Sequence, residues 1–313
     1  MSEIQVQSPG LLTTVQDLGR EGFGPLGVSP SGAADPISLR LGNRLVNNPQ
    51  GASALEMTLL GGTFLFPNGA VIALTGSDFG ATLDGMPIDL WIAVHVRPGQ
   101  TLRHGSTRSG ARCYLCVQGG IVVKPFLGSA STHLLSGMGG YEGRALRKGD
   151  VLRIGPAIAT FCEQTIAARV LEQLAQRKVL RVTHGPQSDW FPESSLQSFY
   201  ASTYRVAEDS NRMGLRLEGK PVAQGSGSEM VTEGVSLGAV QITAGGLPII
   251  LFVEQQTTGG YPKIANVISA DLHSLGQLRP RDEIRFEPVD WETARSMLRE
   301  QEKLLASEDL LSE

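Results

Sequence analysis

The chain has 313 residues, with 27 Lys plus Arg against 31 Asp plus Glu, a formal charge of −4, 41% hydrophobic and 19% charged residues. That length suits about two average domains or one large β domain, and the balance is that of a globular chain, neither disordered nor fibrous. The slight acidic excess disfavours general nucleic-acid binding, which carries a strong basic excess. The conspicuous apolar run at 247–253 is too short to span a bilayer.

In chain order, Met1-Ser2-Glu3-Ile4-Gln5 has no basic segment leading into an apolar run, so no signal peptide is expected, and the cytoplasm is the expected location. The 38 Gly and 17 Pro punctuate many short apolar runs, the pattern of a mainly β chain. A first helix follows Asp35, which can cap Pro36 at the first helical position. Ile37, Leu41 and Leu45 then share a face, and Asn47-Asn48-Pro49 stops it. Strands are predicted at 62–66, 70–74, 111–117 and 150–154. A helix fits 166–177, and the charged, helix-forming segment 166–178 marks the boundary between a unit of residues 1–174 and one of 175–313. Further strands are predicted at 179–182, 204–206, 239–242, 249–253 and 283–286. A helix fits from Pro192 through Phe199, and another runs from Trp291 to about Leu305 behind Asp290; residues 307–313 are expected to fray.

No P-loop, dinucleotide fingerprint, HExxH, EF-hand or GxSxG elbow is spelled anywhere. The five His are scattered, so no metal site is expected. Cys113 and Cys116 have CxxC spacing, but three residues apart on a strand they face opposite ways and read as buried thiols.

Chemistry is better sought where polar residues crowd Gly-rich turns. In Thr13-Thr14-Val15-Gln16-Asp17-Leu18-Gly19-Arg20, Asp17 and Arg20 either pair to brace a loop, or Arg20 presents its planar fork to a substrate carboxylate. The turn Gly27 to Asp35 ends at a helix start and is either an anion site or a capped turn, with Asp35 a better cap than catalyst. Glu56, in a strand-like run, faces outward or joins a buried network. Thr75 and Asp78 follow a strand and suit either a polar substrate or a simple Asx turn. The sharpest cluster is Gln255-Gln256-Thr257-Thr258-Gly259-Gly260-Tyr261-Pro262-Lys263, after the most apolar strand. Its glycines allow close backbone approach, its Gln and Thr suit an amide or lactam, and Lys263 suits an oxyanion or carboxylate; the alternative is a hydrogen-bonded turn with a surface lysine.

These motifs together carry a resemblance. Pro9 to Arg20, Ser31-Gly32-Ala33-Ala34-Asp35, Ala54-Leu55-Glu56-Met57-Thr58 and Ala73 to Phe79 carry it in the first half. Leu134 to Arg144, with Gly139-Gly140-Tyr141-Glu142-Gly143, then Arg212-Met213-Gly214, Ser228 to Gly234 and Gln256 to Lys263 carry it further. The chain resembles, from about Val6 to Pro288, the KipA-like, or allophanate hydrolase subunit 2-like, proteins. That family includes the C subunit of 5-oxoprolinase and is related to the carboxyltransferase region of urea carboxylase. Leu18 and the Cys162–Gln164 region are the small departures.

The resemblance implies two cyclophilin-like β-barrel domains with a few short helices. It implies one component, inactive alone, of an ATP-hydrolysing 5-oxoprolinase that converts 5-oxo-L-proline to L-glutamate. Its partners there would be a KipI-like protein and a LamB/YcsF-like protein. The ring amide is a poor electrophile, so phosphorylation would activate it before water attacks. The alternatives it leaves open are a biotin-dependent urea or amide carboxyltransferase and a KipA-type regulator that binds a KipI-like kinase inhibitor. No lysine here has a biotin-attachment context, so biotin would arrive on a separate carrier, and ATP would bind at least partly on partners. On this reading Lys263, Thr258 and Asp78 are the catalytic candidates. Arg20, Thr75, Arg212, Gln256, Thr257 and Tyr261 are the substrate-binding candidates. No cofactor-binding residue is named, and neither nucleic acid nor membrane is expected as a partner.

Overall fold

The computed structural model describes residues 2–157, 163–225 and 230–312. Cys162, and Ser228 with Glu229 at the start of one motif, lie outside the described residues. The chain forms two compact units: Met1–Arg20 with Ser31–Leu174 and Leu305–Glu313, and Glu21–Pro30 with Ala175–Leu304.

The first unit is built from two sheets. The seven-stranded one runs Ile121–Val122, Val151–Ile154, Glu3–Ser8, Thr63–Phe66, Gln100–Arg103, Thr82–Leu83 and Met86–Pro87. The five-stranded one runs Leu12–Gln16, Ala54–Thr58, Arg112–Val117, Ala70–Gly76 and Ala93–Val96. One apolar core draws on both, with Ile4, Phe64 and Phe66 from the first and Leu55, Ile72 and Leu115 from the second, all fully buried. The other face of the five-stranded sheet packs on the helix Pro36–Leu45, where the hydroxyl of Thr75 donates to the Ser38 carbonyl at 2.7 Å. Both faces being covered, Arg112–Val117 is buried at every position and shows no polar alternation. Cys113 faces the two-sheet core while Cys116 lies under the helix, against Leu39; both thiols are free, and burial pushes both well above the usual thiol range.

The second unit contains a closed barrel of seven strands in the order Val179–His184, Lys263–Val267, Ala239–Ile242, Pro248–Leu251, Gly214–Glu218, Tyr204–Val206 and Glu283–Pro288. Closure comes from a parallel pairing of Val179–His184 with Glu283–Pro288; the other barrel pairings are antiparallel. The helix Glu193–Ala201 sets Phe199 against Phe286 of the barrel, ring centroids 4.6 Å apart.

Mainly β is therefore what the fold is, but the expectation of two cyclophilin-like barrels is corrected: the described residues contain one closed barrel. The first unit's sheets stay open because they end on strands that pair on one side, two of them only two residues long and one carrying Pro87, which has no N–H to extend a ladder. The fraying expected at 307–313 is corrected over 307–312, where Leu310 is buried and Leu311–Ser312 pairs with Thr165–Ile166; Glu313 lies outside the described residues. No helix of the described residues is long and apolar enough to cross a membrane.

Candidate functional site

Side chains directly opposite one another on neighbouring strands share a face of the sheet. In the barrel, Arg216 pairs with Ile249, Ile249 with Gln241 and, across a bulge at Ile264 where the register shifts, Gln241 with Lys263, so these four form one lateral row. The adjacent row, Leu215, Ile250, Val240 and Ala265, is buried and apolar and fills the interior. The polar row therefore projects from the barrel's outer flank. It is covered by the segment after the apolar strand, where Thr258–Gly259 pairs with Glu233–Gly234 as a small two-stranded flap.

Under and beside that cover lies a cavity of about 210 Å³. Its polar lining is Asn211, Arg216, Gln241, Thr243, Gln256 and Tyr261, over an apolar floor that includes Ile249 and Leu251. Gln241 is 1% exposed although it is polar, and its Nε2 is 3.5 Å from the Tyr261 carbonyl oxygen. Gly259 is pressed between two carboxamides: a Cβ there would lie 2.5 Å from Gln241 Nε2 and 2.9 Å from Gln256 Nε2. Only glycine lets this backbone pass with both amides in place.

Lys263, at the end of the row, is 4% exposed. Its Nζ bonds Glu233 Oε1, and Gln187 Nε2 donates to the same oxygen at 2.9 Å. The Lys263 amide N–H donates to Gln187 Oε1 at 3.2 Å, and Gln187 N–H returns a bond to the Lys263 carbonyl at 3.3 Å. The first bond fixes which way the Gln187 side-chain amide points, and the second ties the two backbones together. The hydrogen bonds from Lys263 and Gln187 hold the Glu233 carboxyl below the usual carboxylate range.

The other residues singled out in the sequence fall as follows. Thr257 offers its carbonyl to Val235 N–H, and Thr258 lies on the exposed flap. Arg212 is buried in an ion pair with Glu254, so its charge is already matched. In the first unit, Arg20 is 2% exposed and donates to the carbonyls of Phe126 and Ser131, with its guanidinium 5.7 Å from the Phe126 ring centroid. Asp17 accepts from Gly19 N–H at 2.7 Å, Ser129 Oγ at 2.6 Å and Ala130 N–H at 2.6 Å. Both therefore brace the segment 126–131. Thr75 is fully buried against the helix, and Asp78 accepts from Gly80 N–H and pairs with exposed Arg108 at 2.9 Å, an Asx turn. Glu56 is a buried network member: it accepts from Tyr114 Oη at 2.7 Å and Ala34 N–H at 2.8 Å and pairs with Arg112. Burial first, then the charge of Glu56, pushes the Tyr114 phenol up.

Of the sequence candidates, then, Gln256, Tyr261 and Lys263 come together on the barrel flank. Gln241, Arg216, Asn211 and Thr243 were missed. A glutamine inside the otherwise apolar Ala-Val-Gln-Ile strand was the available signal.

The second unit is thus a closed barrel with a small, amide-lined cavity on its flank, carried in one chain with a two-sheet unit. The chain belongs to the carboxyltransferase domain family, subdomain A and B, which matches residues 26–288. It is 38% identical over 300 residues to the C subunit of 5-oxoprolinase from Escherichia coli (strain K12), covering 96% of each chain. It is 38% identical over 324 residues to urea amidolyase of Saccharomyces cerevisiae, covering 98% of this chain and 18% of that one. The crystal structure of K. lactis urea amidolyase superposes with a TM-score of 0.91 at 34% identity, covering 99% of this chain and 21% of that chain.

Proposed function

We propose that this chain is the acceptor-binding component of a multi-component enzyme that carboxylates an amide, with urea or a related small amide as acceptor. The supporting observation is the fold agreement over 99% of the chain with a urea amidolyase. A carboxamide offers one acceptor oxygen and two donor hydrogens, so Gln241 and Gln256 can match the C=O and N–H of one planar amide together. Asn211 and Thr243 add directional bonds, while Ile249 and Leu251 keep that side of the amide dry. Biotin on a separate carrier would supply the carboxyl group. The carrier would give up its N-carboxyl group and take the acceptor's N–H proton in exchange, and this chain's residues would orient the acceptor nitrogen for that exchange.

A second reading is the C subunit of a 5-oxoprolinase, working with KipI-like and LamB/YcsF-like partners. The end-to-end correspondence with the Escherichia coli protein, 96% of both chains, favours it. The same amides would then hold a lactam. Arg216 is the one cation among the cavity's lining residues, a poor match for a triphosphate, so ATP would be consumed on the partner chains.

One experiment separates the two. The protein is combined either with a biotinylated carrier, its carboxylase, ATP, 13C-bicarbonate and urea, or with the KipI-like and LamB/YcsF-like partners, ATP and 5-oxo-L-proline. Label entering urea only when this chain is present supports carboxyl transfer. L-Glutamate and ADP formed only when this chain is present supports the second reading. Neither product, from complexes verified as assembled, would sink both. In whichever mixture turns over, Gln241→Leu and Gln256→Leu are expected to lower kcat/KM at least tenfold.

A further inference from the structure

The amide cavity leaves the far end of the polar row unused, and there the geometry is unusual. Two donors, Lys263 Nζ and Gln187 Nε2, converge on one oxygen, Glu233 Oε1. Donors aimed together at a single oxygen are what holds an oxyanion. Both donors are buried: Lys263, on a barrel strand, is 4% exposed and Gln187, in the loop after Val179–His184, is 8% exposed, and the Lys263 N–H bond to Gln187 Oε1 holds the glutamine amide in place. The group they hold is of a different kind. The Glu233 side chain is 46% exposed and extends from a two-residue strand paired only with Thr258–Gly259 among the described residues.

A buried lysine normally has a partner as buried as itself, because the desolvated charge must be compensated at all times. Arg212 with Glu254 obeys that, with side chains 6% and 3% exposed. Lys263 does not, and the asymmetry makes its partner exchangeable. Replacing one carboxylate by another keeps the lysine neutralised throughout, and the outgoing glutamate is rehydrated with little rearrangement, since its side chain already meets water.

We propose that Lys263 and Gln187 form a binding site for a carboxylate-bearing ligand, and that Glu233 occupies this site as an internal stand-in until such a ligand displaces it. The site is distinct from the amide cavity and does not depend on which amide the complex transforms. It lies at the other end of the row that starts at Arg216, with Gln241 between. Glu233 acts as an intramolecular competitor: a tethered carboxylate has an effective concentration in the millimolar range, so removing it raises the apparent affinity of a free one.

The test uses the whole protein with sodium acetate as probe and sodium chloride at equal ionic strength as control, read by thermal unfolding. Glu233→Ala is expected to melt several degrees below the wild type in chloride, and acetate is expected to restore most of that loss with at least tenfold lower half-saturation than any effect on the wild type. The double variant Glu233→Ala with Lys263→Met is expected not to respond. Should Glu233→Ala not fold, Glu233→Gln, which removes the charge and keeps the shape, takes its place in the same titration. An acetate response no larger than in the wild type, or equally large in the double variant, would overturn the proposal and leave Glu233 as an ordinary ion-pair partner. Because no turnover is measured, failure of the amide reading and failure of this site are seen separately.

Discussion

Each unit carries a lateral row of mainly polar side chains across a sheet, and the two rows have opposite fates. In the first unit the row is Thr14, Glu56, Tyr114 and Thr75. The start of the helix Pro36–Leu45 lies over it, and backbone groups of that helix and its lead-in meet the row directly: Ala34 N–H on Glu56, Asp35 N–H on Tyr114 Oη, and Thr75 on the Ser38 carbonyl. In the barrel the row is Arg216, Ile249, Gln241 and Lys263, and its cover is a glycine-bearing segment and a two-residue flap. That thin cover leaves a cavity beside Gln241 and a half-exposed partner on Lys263. A polar row sealed by backbone holds the fold. A polar row covered loosely can exchange its partners, which is what binding requires.

The hardest blow to the sealed row is Glu56→Ala. It removes the acceptor for Tyr114 Oη and Ala34 N–H and strips buried Arg112 of a counter-charge. Breaking one side of a buried pair costs about 3–5 kcal/mol. Urea unfolding should show that loss in the first unit, and a cost under about 1 kcal/mol would mean that water already reaches the network.

Next comes acid. His104 is buried beside Phe64, with Nδ1 3.0 Å from the Gly62 carbonyl oxygen, and burial lowers its pKa to about 4. The unfolded chain, at about 6.5, binds the proton first. The part of the stability linked to His104 is therefore full above pH 6.5 and falls as pH drops towards 4, by about 3 kcal/mol. His104→Gln should be less stable at neutral pH and show a shallower decline over that window. An unchanged slope in the variant would assign the acid sensitivity to other groups.

A matched pair of glycine substitutions then separates the two rows' surroundings. A Cβ at Gly139, whose φ is +65°, would lie 2.2 Å from the Ser131 carbonyl oxygen and 2.8 Å from Arg20 Nη2. Backbone cannot yield there, and Gly139→Ala is expected to cost about 2 kcal/mol through strain and the loosened Arg20 clamp. At Gly259 the nearest atoms are the flexible ends of two glutamines. Gly259→Ala should cost under about 1 kcal/mol in stability and at least tenfold in kcat/KM, because the amides swing aside. Equal stability losses at both positions would erase the distinction between the backbone-sealed surroundings of Arg20 and the loosely covered barrel row.

Local chemistry made much of this legible. The helix Pro36–Leu45 and its Asp35 cap follow from the sequence, because capping and i, i+4 spacing are local, and Ser38 N–H does bond Asp35 Oδ1 at 3.0 Å. The loop at 255–263 stood out because glycines and amides cluster within nine residues. What stayed hidden depends on register between distant strands. Lys263 reads as the end of a loop, yet it begins the strand Lys263–Val267 and falls opposite Gln241. Glu233 lies within the motif Ser228 to Gly234, but nothing local marks it as the partner of Lys263, 30 residues away. Barrel closure depends on pairing residues 106 positions apart, and no periodicity within either strand reports it. The polar motifs of the first unit were as conspicuous as those of the second, because a residue bonded to backbone and one bonded to ligand are spelled alike.

Asp78 provides the smallest and most exacting test of that last point. The Asx-turn geometry assigns both of its oxygens: Oδ1 accepts from Gly80 N–H at 2.6 Å, and Oδ2 pairs with Arg108 at 2.9 Å, where the two side chains are 39% and 71% exposed. Asp78→Asn keeps an oxygen for the Gly80 bond and loses only the ion pair. Exposed pairs contribute about 0–1 kcal/mol, so the melting temperature should fall by no more than about 2 °C, and less as salt is added. If Asp78 is only a turn residue, kcat in the assembled complex stays within about twofold. A tenfold fall in kcat at unchanged stability would instead place this carboxylate in the chemistry and show that an exposed Asx turn in the first unit can be as exchangeable as the Glu233 contact in the barrel.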